Sequence, residues 1–188
     1  MPDDDEDSKV TLQIGIPTDA SGYLRHECPS CMLEFKVKGD EARFCDVVEW
    51  WTSKAVAESG LGEAQESEVT NRGQMTCPYC AEPTDVQSFL HGEFRSYLIR
   101  VARREIIEPM MFGMLNNLER TFSRHRRGPI SFKIERGSEA RSPRPIAGPE
   151  PDDMVRIFCA SCGEHFKISE GWSGAIRCPS CSLELQIS

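Results

Sequence analysis

Eight of the nine cysteines in this 188-residue chain fall into four Cys-x-x-Cys pairs: Cys28/Cys31, Cys77/Cys80, Cys159/Cys162 and Cys178/Cys181. A Cys-x-x-Cys knuckle places two thiolates on one tight turn, where both reach a single metal ion at about 2.3 Å. Two knuckles close a tetrahedral site. Cys162 and Cys178 are separated by 15 residues, inside the spacing expected for a four-cysteine zinc site. The first set is stretched, with 45 residues between Cys31 and Cys77. The N-terminus, MPDDDEDSKV, is acidic where an export signal would be basic and then apolar. A cytoplasmic, reducing location is therefore expected, where patterned cysteine means metal rather than disulfide. No run of apolar residues approaches the length of a membrane span.

Short alternating stretches surround the knuckles. Leu33-Glu-Phe-Lys-Val-Lys38 follows the first, Gly163-Glu-His-Phe-Lys-Ile168 the third and Leu183-Glu-Leu-Gln-Ile187 the fourth. Each reads as a half-buried strand. Knuckle, strand, turn, knuckle, strand is the order of a zinc ribbon. With these residues, Arg156 to Ile187 resembles the short bacterial and archaeal zinc-ribbon modules appended to many proteins. Residues 20–84 resemble a ribbon of the transcription-initiation-factor TFIIB type carrying an insertion at about 40–74. The resemblance implies a fold and two structural zinc ions, Zn2+, one held by Cys28, Cys31, Cys77 and Cys80, the other by Cys159, Cys162, Cys178 and Cys181. It implies no activity, since ribbons serve many functions.

Cys77-Pro-Tyr-Cys80 is also the active-site motif of glutaredoxins. Thiol redox chemistry needs a strand feeding the first cysteine and a helix starting at it, yet Pro83 follows closely and Gly73-Gln-Met-Thr76 is a poor strand. Zinc explains all four pairs together. Cys45, the ninth cysteine, is expected to be a small buried hydrophobe. His26 and His165 flank knuckles whose cysteine sets are already complete, and no catalytic constellation or phosphate loop stands out, so no enzyme and no small-molecule substrate are expected.

Within the insertion, Phe44 to Ala57 carries Val47, Val48, Trp50, Trp51 and Val56 and reads as a helix; Gly60 to Gly73 reads as a polar loop. From Asp85 to Ile107 apolar residues recur at three and four, the helical period, with Asp85 as a cap or first-turn acid. Pro109 interrupts, and a second helix carries Met111, Met114 or Leu115, Leu118 and Phe122 on one stripe. The pair forms a helical hairpin or one kinked helix. The stripe most simply packs inside the protein or against the ribbons; the sharper reading is a partner surface.

Charge is uneven. The chain has a net −8, yet residues 95–144 hold 12 bases against 5 acids. Arg100, Arg103, Arg104, Arg120, Arg124, Arg126 and Arg127 form the centre of this block. They read as a solvated face, as a contact for DNA or RNA, or as a contact for an acidic protein. The expected architecture is small α+β: two four-cysteine zinc ribbons flanking a helical hairpin. Its segments are a disordered acidic tail at 1–9, the first ribbon at 10–84 (beginning with a strand at Val10–Ile16), a basic helical segment at 85–127, a Pro-rich linker at 128–153 with a strand at Ile130–Ile134, and the second ribbon at 154–188. The expected function is a non-enzymatic zinc-binding adaptor with a protein partner, the alternative a nucleic-acid-binding accessory protein.

Overall fold

The computed structural model describes residues 14–15, 17–61, 73–124 and 154–186. The acidic tail, the Val10–Ile16 strand apart from Ile14 and Gly15, most of the polar loop, and the Pro-rich linker with its strand lie outside the described residues. The fold is mixed α+β with antiparallel sheets and one helical segment between two four-cysteine clusters.

Strands β1 (Tyr23–Glu27) and β2 (Glu34–Lys38) form a hairpin around the first knuckle, and β5 (Met154–Phe158) and β6 (His165–Ser169) form its counterpart around the third. The two pairs of short strands β3 (Gln74–Thr76) with β4 (Pro83–Asp85), and β7 (Ile176–Arg177) with β8 (Glu184–Leu185), bracket the second and fourth knuckles. The ribbons flank the helices in sequence but meet in space. β2 pairs antiparallel with β6, giving one four-stranded sheet in the order β1-β2-β6-β5.

Equivalent lysines oppose one another at this seam. Lys36 sits across from Lys167, and Val37 from Phe166. The Thr76 N–H donates to the Pro179 carbonyl at 2.9 Å and the Arg177 N–H to the Pro78 carbonyl at 3.0 Å. Each bond joins the strand entering one ribbon's second knuckle to the knuckle of the other. These reciprocal contacts relate the ribbons by an approximate two-fold axis. At one end of the seam the Tyr79 hydroxyl stands in the ladder, donating to the Glu34 carbonyl at 2.7 Å and accepting from the Ser169 N–H at 3.0 Å.

Lys36 and Lys167 alternate with apolar neighbours and would ordinarily face water; both are buried instead. Their ammonium groups converge on Asp19 Oδ2 at 3.1 and 3.0 Å, while Asp19 Oδ1 accepts the N–H groups of Ser21 and Tyr23. Lys167 also lies 4.4 Å from the centre of the Tyr23 ring. One carboxylate thus satisfies a lysine from each ribbon.

Helix α1 (Glu41–Glu58) is capped by Asp40, whose side chain accepts from the Ala42 and Arg43 N–H groups. Its buried residues Phe44, Val47, Trp51 and Ala55 keep the three–four spacing of one helical face. Cys45 lies off that face and is exposed, so the expectation of a buried cysteine fails. A single 3₁₀ turn (Val86–Phe89) precedes α2 (Gly92–Ala102), which packs against α1. Asp85 makes no side-chain cap; His91 Nδ1 caps α2 by accepting the Glu93 N–H at 3.3 Å. The sheet, α1 and α2 share one core containing Phe35, Val37, Phe44, Trp51, Phe89, Phe94, Leu98, Phe166 and Ile168.

After α2 the helix does not fold back. A π turn (Arg103–Ile107) leads straight into α3 (Glu108–Arg124), with helical backbone at Ala102 and Glu108. The Glu108 N–H reaches back five residues to the Arg103 carbonyl. The widened turn ends at Ile107, two residues before Pro109, whose ring would otherwise press on the carbonyl one turn earlier and which has no N–H to offer. The helix is therefore continuous, and the close helical pairing in the fold is α1 with α2.

Burial alone would raise the Asp19 carboxyl, but the Tyr23 N–H and the two ammonium groups outweigh it and bring it down to about 2. A folded-state value below the ordinary value near 4 contributes stability that is present above pH 4 and lost as pH falls towards 2. Asp19→Asn is expected to cost about 2–3 kcal/mol at pH 7. Urea unfolding of metal-loaded protein between about pH 6 and 8 checks this: the gap between wild type and variant should be constant there, where Asp19 is fully ionised and the thiolates still hold metal.

Candidate metal centres

Each knuckle begins where a strand delivers a cysteine into a tight turn closed by backbone hydrogen bonds. The Cys28 N–H donates to the Leu33 carbonyl and the Met32 N–H to the Cys28 carbonyl; the same pair of bonds recurs at Cys77, Cys159 and Cys178. Every turn places one residue in the left-handed region: Met32, Ala81, Gly163 and Ser182, with φ between 59° and 77°. Only glycine takes that conformation without strain. Gly163 was therefore the one sequence signal for a position occupied elsewhere by Met, Ala and Ser.

The knuckles bring Cys28, Cys31, Cys77 and Cys80 together in one cluster and Cys159, Cys162, Cys178 and Cys181 in another, with sulfurs in each group within 4.8 Å of one another. Cys28–Cys80 and Cys31–Cys77 lie 3.7 Å apart, Cys159–Cys181 3.7 Å and Cys162–Cys178 3.4 Å. Four sulfurs held at about 2.3 Å from a central ion lie about 3.8 Å apart at the tetrahedral angle. The geometry fits a metal ion in each cluster. No cysteine of the chain is in a disulfide.

The electrostatics point the same way. Burial pushes the Cys77 and Cys178 thiols far above the ordinary range. Cys159 also feels burial upward, but N–H groups of Cys162 and Ser161 bring it down to about 7. A cation in the middle of each group is what makes four clustered thiolates stable. The N–H groups of Ser30 and Tyr79 approach Cys28 Sγ and Cys77 Sγ at 3.4 Å, as donors to a metal-bound thiolate do.

The Cys77-Pro-Tyr-Cys80 segment has the short strand β3 before it, but the chain continues into β4 rather than into a helix. Pro78 is fully buried and Tyr79 is committed to the seam between the ribbons. His26 lies in the core, stacked on Phe35 with ring centres 5.5 Å apart, and burial lowers it to about 4, so it is neutral at pH 7. His165 is exposed beside Phe158. Neither joins a cluster.

The basic residues are spread along the helix. Arg100 and Arg103 are exposed, Arg104 is half-buried and Arg120 is exposed. Glu108 lies 4.0 Å from Arg103 and Glu105 lies 3.4 Å from Arg104. Arg124 ends α3, with only its backbone described; Arg126 and Arg127 lie outside the described residues. Among the described residues, no helix is long and apolar enough to cross a membrane. Comparison with family models, with curated proteins and with solved structures found no match to the chain.

Chelation is expected to abolish the near-ultraviolet circular dichroism of Tyr79 and Trp172, which meet edge-to-face at 4.9 Å beside the knuckles. Retention of that signal in demonstrably metal-free protein would count against metal-dependent folding. Cys45→Ser should leave the metal content, measured by elemental analysis, unchanged.

Proposed function

We propose that this protein is a non-enzymatic zinc-binding adaptor: two structural zinc ions hold a double ribbon that carries a helix offered to a protein partner. A tetrahedral set of four thiolates suits zinc, which brings no redox chemistry of its own. Four protein ligands leave no open coordination position for catalysis. In such a site the cysteines supply charge and geometry, and the ion supplies folding energy that these small sheets lack.

The observation that carries the adaptor reading is the apolar face of α3. Ile107 is buried against the body beside Ala55 and Ala102. Beyond it Met110, Met111, Met114 and Leu118 are 41–56% exposed. This departs from the expectation that the stripe packs inside. Along α3, about 25 Å long at 1.5 Å per residue, these residues fall on one side while Glu108 and Arg120 fall on others. An exposed amphipathic stripe is the usual form of a helix that docks in a groove, and methionine adapts to varied partners. Met114→Glu combined with Leu118→Glu should abolish recovery of partner proteins with the tagged chain while changing the melting temperature by no more than about 2 °C, because the substituted groups touch little of the protein itself.

Nucleic-acid binding is the second reading, favoured by the exposed guanidinium groups of Arg100, Arg103 and Arg120. Glu105 and Glu108 on the same stretch dilute that field, which ranks it below the adaptor. Its test is a gel shift with DNA or RNA at low salt. The adaptor reading expects no shift that neutralising Arg100, Arg103 and Arg104 would remove; a salt-sensitive shift lost in that variant would reverse the ranking.

A further inference from the structure

We propose that the two four-cysteine sites bind metal cooperatively, as a single unit in which filling one site prepares the other. The inference rests on reading both clusters as metal centres. It goes further, because two ribbons joined only by a chain segment would load independently.

Four sets of contacts join the sites. First, the knuckles touch through backbone. Pro78 and Pro179 lie inside the Cys77/Cys80 and Cys178/Cys181 turns, and each accepts an N–H from the residue that precedes the opposite turn's first cysteine, Arg177 or Thr76. A turn set by its own metal therefore fixes the strand that delivers a ligand to the other metal. Second, Thr76 Oγ1 and Ser182 Oγ lie 2.6 Å apart, tying the strand before Cys77 to the residue after Cys181. Third, Tyr79, between two ligands of the first site, bonds with its hydroxyl to Glu34 in one ribbon and Ser169 in the other. Fourth, Asp19 holds a buried lysine from each ribbon, so one carboxylate ties the two ribbons across the seam.

The physical consequence is a shared ordering cost. Metal binding to a site that is not preformed must fix the backbone of both knuckles and of the strands between them. Here much of what the second site needs is already fixed once the first is filled, because β2 and β6 are one another's neighbours in the sheet. The second ion then binds more tightly than the first, the thermodynamic definition of positive coupling.

Full-length protein stripped of metal and given one equivalent of Zn2+ tests this by native mass spectrometry. Two independent, equal sites place about half of the molecules in the one-metal form, and unequal sites place more there. The proposal expects the one-metal form well below half, with metal-free and two-metal forms dominating. A one-metal form at or above half would overturn it. Protein that takes up no metal would overturn the metal reading itself, a distinguishable result. A second measurement uses Cys162→Ser with Cys181→Ser, which removes two exposed ligands of the C-terminal site and leaves the N-terminal ligands intact. Titration with Co2+, followed by thiolate-to-metal absorption, should show the N-terminal site weakened about tenfold or more. Unchanged affinity would contradict the coupling.

Discussion

Eight thiolates gathered in two clusters cannot persist without a cation, and that requirement organises the rest of the fold. The sulfurs of Cys28, Cys77, Cys159 and Cys178 are completely buried, where charge is costly unless opposed. The strands beside them are two to five residues long, too short to bury a self-sufficient core each. A metal ion in each cluster would supply local folding energy, and the antiparallel pairing of β2 with β6 merges two minimal units into one sheet with one core. That sheet in turn gives α1 and α2 a surface to cover through Phe44, Trp51, Phe94 and Leu98. α3 extends from this assembly with Met110, Met111, Met114 and Leu118 exposed among the described residues.

The knuckles and their strands were legible in the sequence because their signals are local. Four Cys-x-x-Cys pairs name the ligands, and the alternation in Glu34–Lys38 and His165–Ser169 names the strands. The buried face of α1 was likewise legible from its three–four spacing. The seam was not. Lys36 and Lys167 look like solvent-facing residues of two separate strands, and only the long-range arrival of Asp19 makes their burial tolerable. Asp19 lies in a stretch without a motif. Tyr79 was hidden in a different way: the motif around it pointed to redox chemistry, while its hydroxyl replaces a ladder bond across the seam.

Other departures share one cause: local pattern leaves more than one conformation open. Pro109 reads as an interruption, yet the π turn that ends two residues earlier absorbs it and the helix continues. Cys45 reads as buried by residue type, yet the helical face chosen by Phe44, Val47 and Trp51 leaves it in solvent. The stripe on α3 reads as core, yet no described residue covers Met111, Met114 and Leu118 enough to bury them. In each case tertiary geometry decides between alternatives that propensity alone permits.

The central claim is that each cluster is a closed site of four thiolates around zinc. X-ray absorption at the zinc edge on protein purified without added metal tests it most directly. The account predicts zinc in both sites with a single shell of four sulfurs at about 2.3 Å. A shell containing nitrogen or oxygen, fewer than four sulfurs, or a different metal would contradict it.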